Sequence, residues 1–201
     1  QKIRIPNTIV DRICSMNSED MTIVSEEFHE LSVDKNVLSE TGIEYINSID
    51  NVEGHFYRKR YLLNSYADAI SFLAKKEGLT YLYEAAQNDK INEQIKPYME
   101  LLKDLLHERY HISKEELEHS IESEVQWQEI YRKRLQNDKI PRELTTVARN
   151  LWEKLTVEER FVKPLIQLLE MKKDIAEGAK FIKKLIECGT EDEELSQIKE
   201  K

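Results

Sequence analysis

From Phe56 onward, apolar residues recur at intervals of three and four with little to interrupt them. Leu62, Leu63, Tyr66, Ala69, Ile70 and Leu73 form one such stripe, and the segments after it keep the same period. A period of about 3.6 residues held over that length restricts the fold to packed helices, because a half-buried strand alternates at every second residue. Only 5 Gly and 4 Pro occur in 201 residues, too few breaks for a sandwich or a barrel.

Local signals divide the helical part. Gly78 is placed to cap the first helix, and a short one follows over about 80–87. Pro97 kinks or begins the helix in "INEQIKPYMELLKDLLHERY". Ser113 with Glu116, and Thr156 with Glu159, fit the capping box and predict helices near 114–136 and 157–171. Pro141 opens another through Leu155, and Pro164 bends the one that contains it. "DIAEGAKFIKKLIEC" ends at Gly189, and the acidic "TEDEELSQIKEK" predicts a last helix.

The N-terminal quarter differs. Pro6 suits a first helical turn, and Ile9, Val10, Ile13 and Met16 follow at helical spacing, which predicts a helix over 6–17. "MTIVSEEFHELSVD" is rich in β-branched and aromatic residues and predicts one or two short strands. Turn signals at Asp34, Asn36, Gly42, Asn51 and Gly54 surround another apolar run, so the short strands lie within about 21–50. The expectation is a mainly α, multi-helical single domain over 1–201, with a small β element near its start.

A net charge of −9, with acids and bases interleaved, argues against a nucleic-acid partner, which needs a basic face. No apolar run reaches about 18 residues, and no signal peptide is visible, so neither a membrane nor secretion is indicated. Cys14 and Cys188 lie far apart without metal-type spacing, which fits a reducing cytoplasm. The chain begins at Gln1 inside a patterned segment, "QKIRIPNTIVDRI", and reads as a piece of a longer polypeptide.

Two motifs carry possible chemistry. "HERYH", residues 107–111, matches the H-E-x-x-H zinc pattern, with His107 and His111 as ligands and Glu108 as base. Against it, Ser113 caps the next helix, so His111 falls where this one ends, and no third ligand follows; two surface histidines are the better account. "YRKRYLLNSYAD", residues 57–68, crowds Arg58, Lys59 and Arg60 at a helix start and places Asn64 further along. A free lysine titrates near about 10.4 and is a poor base, but like charge and a helix N-terminus favour its neutral form. Lys59 is then a candidate proton acceptor and Asn64 a candidate donor to an oxygen on which charge develops. On an ideal helix the two would sit about 140° apart. A solvated basic helix end is the competing reading.

The blocks "RIPNTIVDRI", "TIVSEEFHELSVD", "YRKRYLLNSYADAISFLAKKEGLTYLYEAAQNDKI" and "VARNLWEKLTVEERFVKPLI" occur in an order that resembles the C-terminal half of the polyol-specific long-chain dehydrogenases. That family includes mannitol-1-phosphate 5-dehydrogenase, mannitol 2-dehydrogenase, and the fructuronate and tagaturonate (altronate) reductases. The resemblance implies a multi-helical domain like the C-terminal domain of 6-phosphogluconate dehydrogenase-type enzymes. It implies metal-independent interconversion of a polyol, polyol phosphate or sugar acid and its ketose. NAD(H) or NADP(H) would be bound mainly by an N-terminal Rossmann domain, without which the chain alone would be inactive. No G-x-G-x-x-G occurs here. Monomer and homodimer both fit.

The family motif is a lysine general base, an asparagine five residues on, and a histidine three further. Lys59 and Asn64 match, and Ala67 stands where the histidine belongs. Tyr66, Asp68 and His55 are the candidates to take its place. A family member that binds without catalysing, as a binding or assembly module, is the alternative. The resemblance further implies substrate contacts at Asn7, Asp11 and Arg149. Lys154 matches as well, whereas Glu153 replaces a cation.

Overall fold

The computed structural model describes residues 3–16, 20–39, 42–118 and 127–189. Five short strands open the chain: β1 (Thr8–Asp11), β2 (Cys14–Met16), β3 (Ile23–Ser25), β4 (Glu30–Asp34) and β5 (Asn47–Ile49). β1 runs antiparallel to β4, from Thr8 opposite Val33 to Asp11 opposite Glu30, and β5 joins β4 in parallel. β2 and β3 pair separately. The helix expected over 6–17 is therefore absent. In its place Ile9 and Asp11 face inward while Thr8 and Val10 face out, a period of two. The run Thr8, Ile9, Val10 is β-branched and stiff at χ1, and β4 offers its backbone a ladder.

The helical body begins at α1 (Val52–Arg58), capped by the Asn51 side chain, which accepts from the Gly54 N–H at 3.0 Å. It runs without a break through a π segment, Lys59–Asn64, into α2 (Ser65–Lys76). α2 is buried from Ser65 to Ala74 and is the central rod of the core. Gly78, at φ +78°, ends that helix in the left-handed conformation expected of it. α3 (Leu82–Gln87) and α4 (Asp89–Tyr110) follow, and α4 continues through Pro97. Ile91, Ile95, Tyr98, Met99, Leu102, Leu105 and Leu106 form its buried stripe.

Ser113 and Glu116 form the expected reciprocal cap, at 3.0 and 3.1 Å, at the start of α5 (Lys114–Glu118). α6 (Trp127–Leu135) lies within the rest of that predicted helix, and residues 119–126 are outside those described. The helix expected from Pro141 to Leu155 is two single turns, α7 (Leu144–Val147) and α8 (Leu151–Lys154). Asn150, at φ +55°, separates them. The Thr156–Glu159 box does not form, because Arg60 draws the Glu159 carboxylate away at 2.8 Å. Thr156 instead donates to the Glu153 carbonyl, and α9 (Lys163–Glu170) starts later, with Pro164 in its first turn. α10 (Ala176–Cys188) ends at Gly189 as expected, and the predicted last helix falls outside the described residues.

Candidate active site

Lys59 and Asn64 face one cleft because the backbone between them is a π turn. An α-helix would set residues five apart on different faces, whereas the i→i+5 bonding of a π turn brings the fifth residue back over the first. The Ser65 N–H donates to the Arg60 carbonyl, five residues back, and the Ser65 hydroxyl reaches the same oxygen at 3.1 Å. The sequence shows no sign of this inserted residue. It removes the divergence expected of an ideal helix.

The cleft holds about 420 Å³, and Lys59, Leu63, Asn64, Ala67 and Asp68 form one wall of it. β1 and the residue after it close the roof with Asp11 and Arg12. The Lys59 ammonium donates to the Val10 carbonyl of β1. The Asn64 amide has no hydrogen-bond partner among the described residues, so both its donor and its acceptor remain open to a ligand. Ala67, at the family's histidine position, lines the cleft and offers no donor.

The flanking cations are not the source of like charge that their spacing suggests. Arg58 pairs with Glu30 at 3.4 Å and Arg60 with Glu159 at 2.8 Å, so each is neutralised away from Lys59. Besides Lys59 itself, the cations lining the cleft are Arg12, Arg142 and Arg160.

A second cleft of about 310 Å³ adjoins the first and shares Asp68, Arg142, Val147 and Arg160 with it. Asp68 is buried and binds two cations, the Lys154 ammonium at 3.0 Å and the Arg160 guanidinium at 2.9 Å. Lys154 also donates to the Val147 carbonyl at 3.0 Å. The Arg160 backbone is held from behind, where its carbonyl accepts from the Tyr98 hydroxyl at 3.2 Å and the Ser65 hydroxyl at 3.3 Å. Asp68 thus anchors the far wall and has no free oxygen with which to replace the missing histidine.

The other expected residues separate. Arg149 lines the second cleft, exposed and without a side-chain partner among the described residues. Asp11 lines the first, but both its oxygens accept from Arg134, at 2.9 and 3.1 Å. The same guanidinium binds Glu26 at 2.6 Å and lies over the Phe28 ring, so Asp11 belongs to a buried ion network that ties the roof to α6. Burial opposes the Arg134 charge, and the hydrogen bonds it donates to Glu26 and Asp11 more than offset this. Asn7 is exposed before β1 and lines neither cleft.

Tyr66 turns away and donates to Asn92, and burial raises its pKa. His55 contacts Glu116 at 3.4 Å and also lies outside the clefts. In "HERYH", His111 leaves the helix at φ +56°, Glu108 pairs with Lys173, and His107 turns to the Ile112 carbonyl. No cluster of three His, Cys, Asp or Glu able to hold a metal occurs among the described residues.

Spacing alone did not single out Arg142 or Arg160. Arg160 lies inside a block that carries the family resemblance, a signal that could have found it. Arg142 follows Pro141 in a loop, where no period marks it.

No protein-family model matches the chain. The mannitol-1-phosphate 5-dehydrogenase of Caldanaerobacter subterraneus subsp. tengcongensis is 30% identical over 169 residues, covering 82% of this chain and 42% of that protein. That of Streptococcus pneumoniae (strain Hungary19A-6) is 28% identical over 173 residues, 84% of this chain and 44% of that one. The chain therefore spans less than half the length of these relatives. Pseudomonas fluorescens mannitol 2-dehydrogenase, solved with NAD and D-mannitol, superposes with a TM-score of 0.69 at 16% identity, over 91% of this chain and 38% of that one. A substrate-free D-sorbitol dehydrogenase gives 0.66 at 18%, over 92% and 39%. At those identities the likeness speaks for the fold, and it bears out the mainly α class. By sequence the chain is thus similar to part of the mannitol-1-phosphate 5-dehydrogenases, and its fold is that of part of the polyol dehydrogenases.

Proposed function

We propose that the chain is the substrate half of an NAD-dependent, metal-independent dehydrogenase of the cytoplasm, which interconverts a polyol or polyol derivative and its ketose. The observation that carries this reading is the convergence of Lys59 and Asn64 on one cleft through the π turn. Lys59 accepts the proton of the reacting hydroxyl, and the Asn64 amide donates to the same oxygen as it becomes a carbonyl. Arg149 binds the remainder of the substrate from the far wall, where Lys154 is held in its ion pair with Asp68. Asn7 and Asp11, carried over from the family pattern, act from the roof side, Asp11 through its hold on Arg134.

On this reading NAD(H) or NADP(H) is held mainly by an N-terminal Rossmann domain, as the family pattern implies. The nicotinamide, when bound, supplies or takes the hydride. Ile3, Ile5, Val10, Met16 and Ile23, in and beside the first three strands, are exposed apolar side chains that such a neighbour could cover.

The test is full-length protein assayed for NADH oxidation with fructose, fructose 6-phosphate, fructuronate and tagaturonate. Lys59→Ala lowers kcat by about 10²–10⁴-fold if Lys59 is the base. Unchanged turnover in that variant removes the assignment. The second reading, a member that binds but does not catalyse, is favoured by Ala67, which leaves one donor position of the cleft empty. Calorimetric binding of a ketose without turnover of any substrate would establish it.

A further inference from the structure

Arg142 is a cation shared by both clefts that no carboxylate pairs with directly among the described residues. Its side chain is half-buried, lines both clefts, and has no hydrogen-bond or ion-pair partner among the described residues. Asp68 lines the same two clefts, but its oxygens are engaged by Lys154 at 3.0 Å and Arg160 at 2.9 Å. A guanidinium does not shed its proton at any ordinary pH, so burial without a counter-ion leaves a desolvated charge that an incoming anion would relieve. Burial indeed lowers the Arg142 pKa, with Asp68 only partly opposing it.

The backbone that carries Arg142 is fixed from both sides. Pro141, the residue before it in the chain, has its φ fixed by its ring, and the Arg142 carbonyl accepts from the Leu82 N–H at 2.9 Å. Leu144 donates to the Thr80 carbonyl at 2.8 Å, which pins the loop to the entrance of α3. The guanidinium is thus presented from a rigid platform, as a planar fork for bidentate binding demands.

We propose that Arg142 is a specificity-determining residue that binds the terminal anionic group of the substrate, a phosphate or a carboxylate, where the two clefts meet. The inference rests on the dehydrogenase reading for the identity of the substrate, but not for the existence of the anion site. A net charge of −9 on the chain makes this local gathering of cations the more selective. A second cation, Arg149, lies along the same cleft for a group that extends further.

The test uses full-length protein and its Arg142→Met, Arg142→Lys and Arg109→Met variants. Arg109 pairs with Glu170 on the surface and serves as an equal loss of charge elsewhere. Two quantities are read. The first is the ratio of kcat/KM for fructose 6-phosphate or fructuronate to that for fructose, the two charged substrates separating phosphate from carboxylate. The second is the stabilisation of the protein by inorganic phosphate in thermal unfolding. Arg142→Met is expected to lower the ratio for one charged substrate by about 10–100-fold and to abolish the phosphate stabilisation. Arg142→Lys restores part of each, and Arg109→Met changes neither.

A ratio and a phosphate shift both unmoved in Arg142→Met overturn the proposal. Loss of phosphate binding in that variant, in a protein that turns over no substrate, sinks the dehydrogenase reading and leaves the anion site standing.

Discussion

The two walls of the cleft are held by different means. Lys59, Asn64 and Ala67 come from one unbroken helical run, and their mutual placement follows from a single inserted residue in the backbone. Arg142, Lys154 and Arg160 come from short turns and loops that have little helical structure to place them. Their positions are set by bonds to distant parts of the chain, Leu82, Asp68 and the hydroxyls of Ser65 and Tyr98, and for Lys154 also by the nearby Val147 carbonyl. The near wall should tolerate remote changes as long as α2 stays folded. The far wall should respond to residues that never touch a ligand.

The strongest challenge to that contrast is Arg134→Met. Arg134 is buried and holds the roof through Asp11 and Glu26, so its loss strands two carboxylates and is expected to cost about 3–5 kcal/mol in urea unfolding. A loss below about 1 kcal/mol would mean that the β1–β4 ladder alone keeps the Val10 carbonyl over Lys59, and that the roof needs no far support.

Asp68→Asn is the next in size. It leaves Lys154 and Arg160 facing an uncharged amide, with an expected cost of about 2 kcal/mol and a rise in KM that exceeds the fall in kcat. If kcat alone falls, the far wall takes part in the chemical step and the two walls are not functionally distinct. Tyr98→Phe removes one of the hydroxyl supports behind Arg160, and thermal unfolding should show about 1 kcal/mol. Its effect on KM should be in the direction of Asp68→Asn but smaller.

The smallest effect is a pH dependence on the near side. Burial and then Arg58 lower the pKa of His55 below its ordinary value, with Glu116 opposing. As pH falls below about 6.5 the unfolded chain takes up this proton first. Folded-state stability therefore declines with acidification until the pH passes the pKa of the folded state. His55→Gln should flatten the unfolding free energy between about pH 7.5 and 5.5, and an unchanged slope would assign the acid loss to other groups.

Much of this was legible from residue order, and the exceptions share a cause. The stripe from Leu62 to Leu73 became α2, and Ser113 with Glu116 became a working cap, because in each the partners lie within a turn or two of each other. The 6–17 segment also carried a helical period, yet β4 lay some twenty residues away with a matching edge, and pairing outweighed the period. The β-branched run in "NTIVD" was the signal against the helix. Thr156 and Glu159 had the right spacing, but Arg60 competed for the carboxylate across the fold. Asp11 lines the cleft, and what the chain order could not show was that Arg134 would occupy both its oxygens.

The sequence by itself determined the helical class, the position of the central rod, and the pairing of a lysine with an amide in one motif. These depend on side-chain period and on a family pattern, both written along the chain. Only the tertiary structure decided that the π turn would aim Lys59 and Asn64 into one cleft, that Arg58 and Arg60 would be neutralised, and that Arg142 would stand without a counter-ion beside Asp68. Burial and ion pairing depend on which residues meet across the fold, and with charges this numerous the choice among partners is made by packing, not by order along the chain.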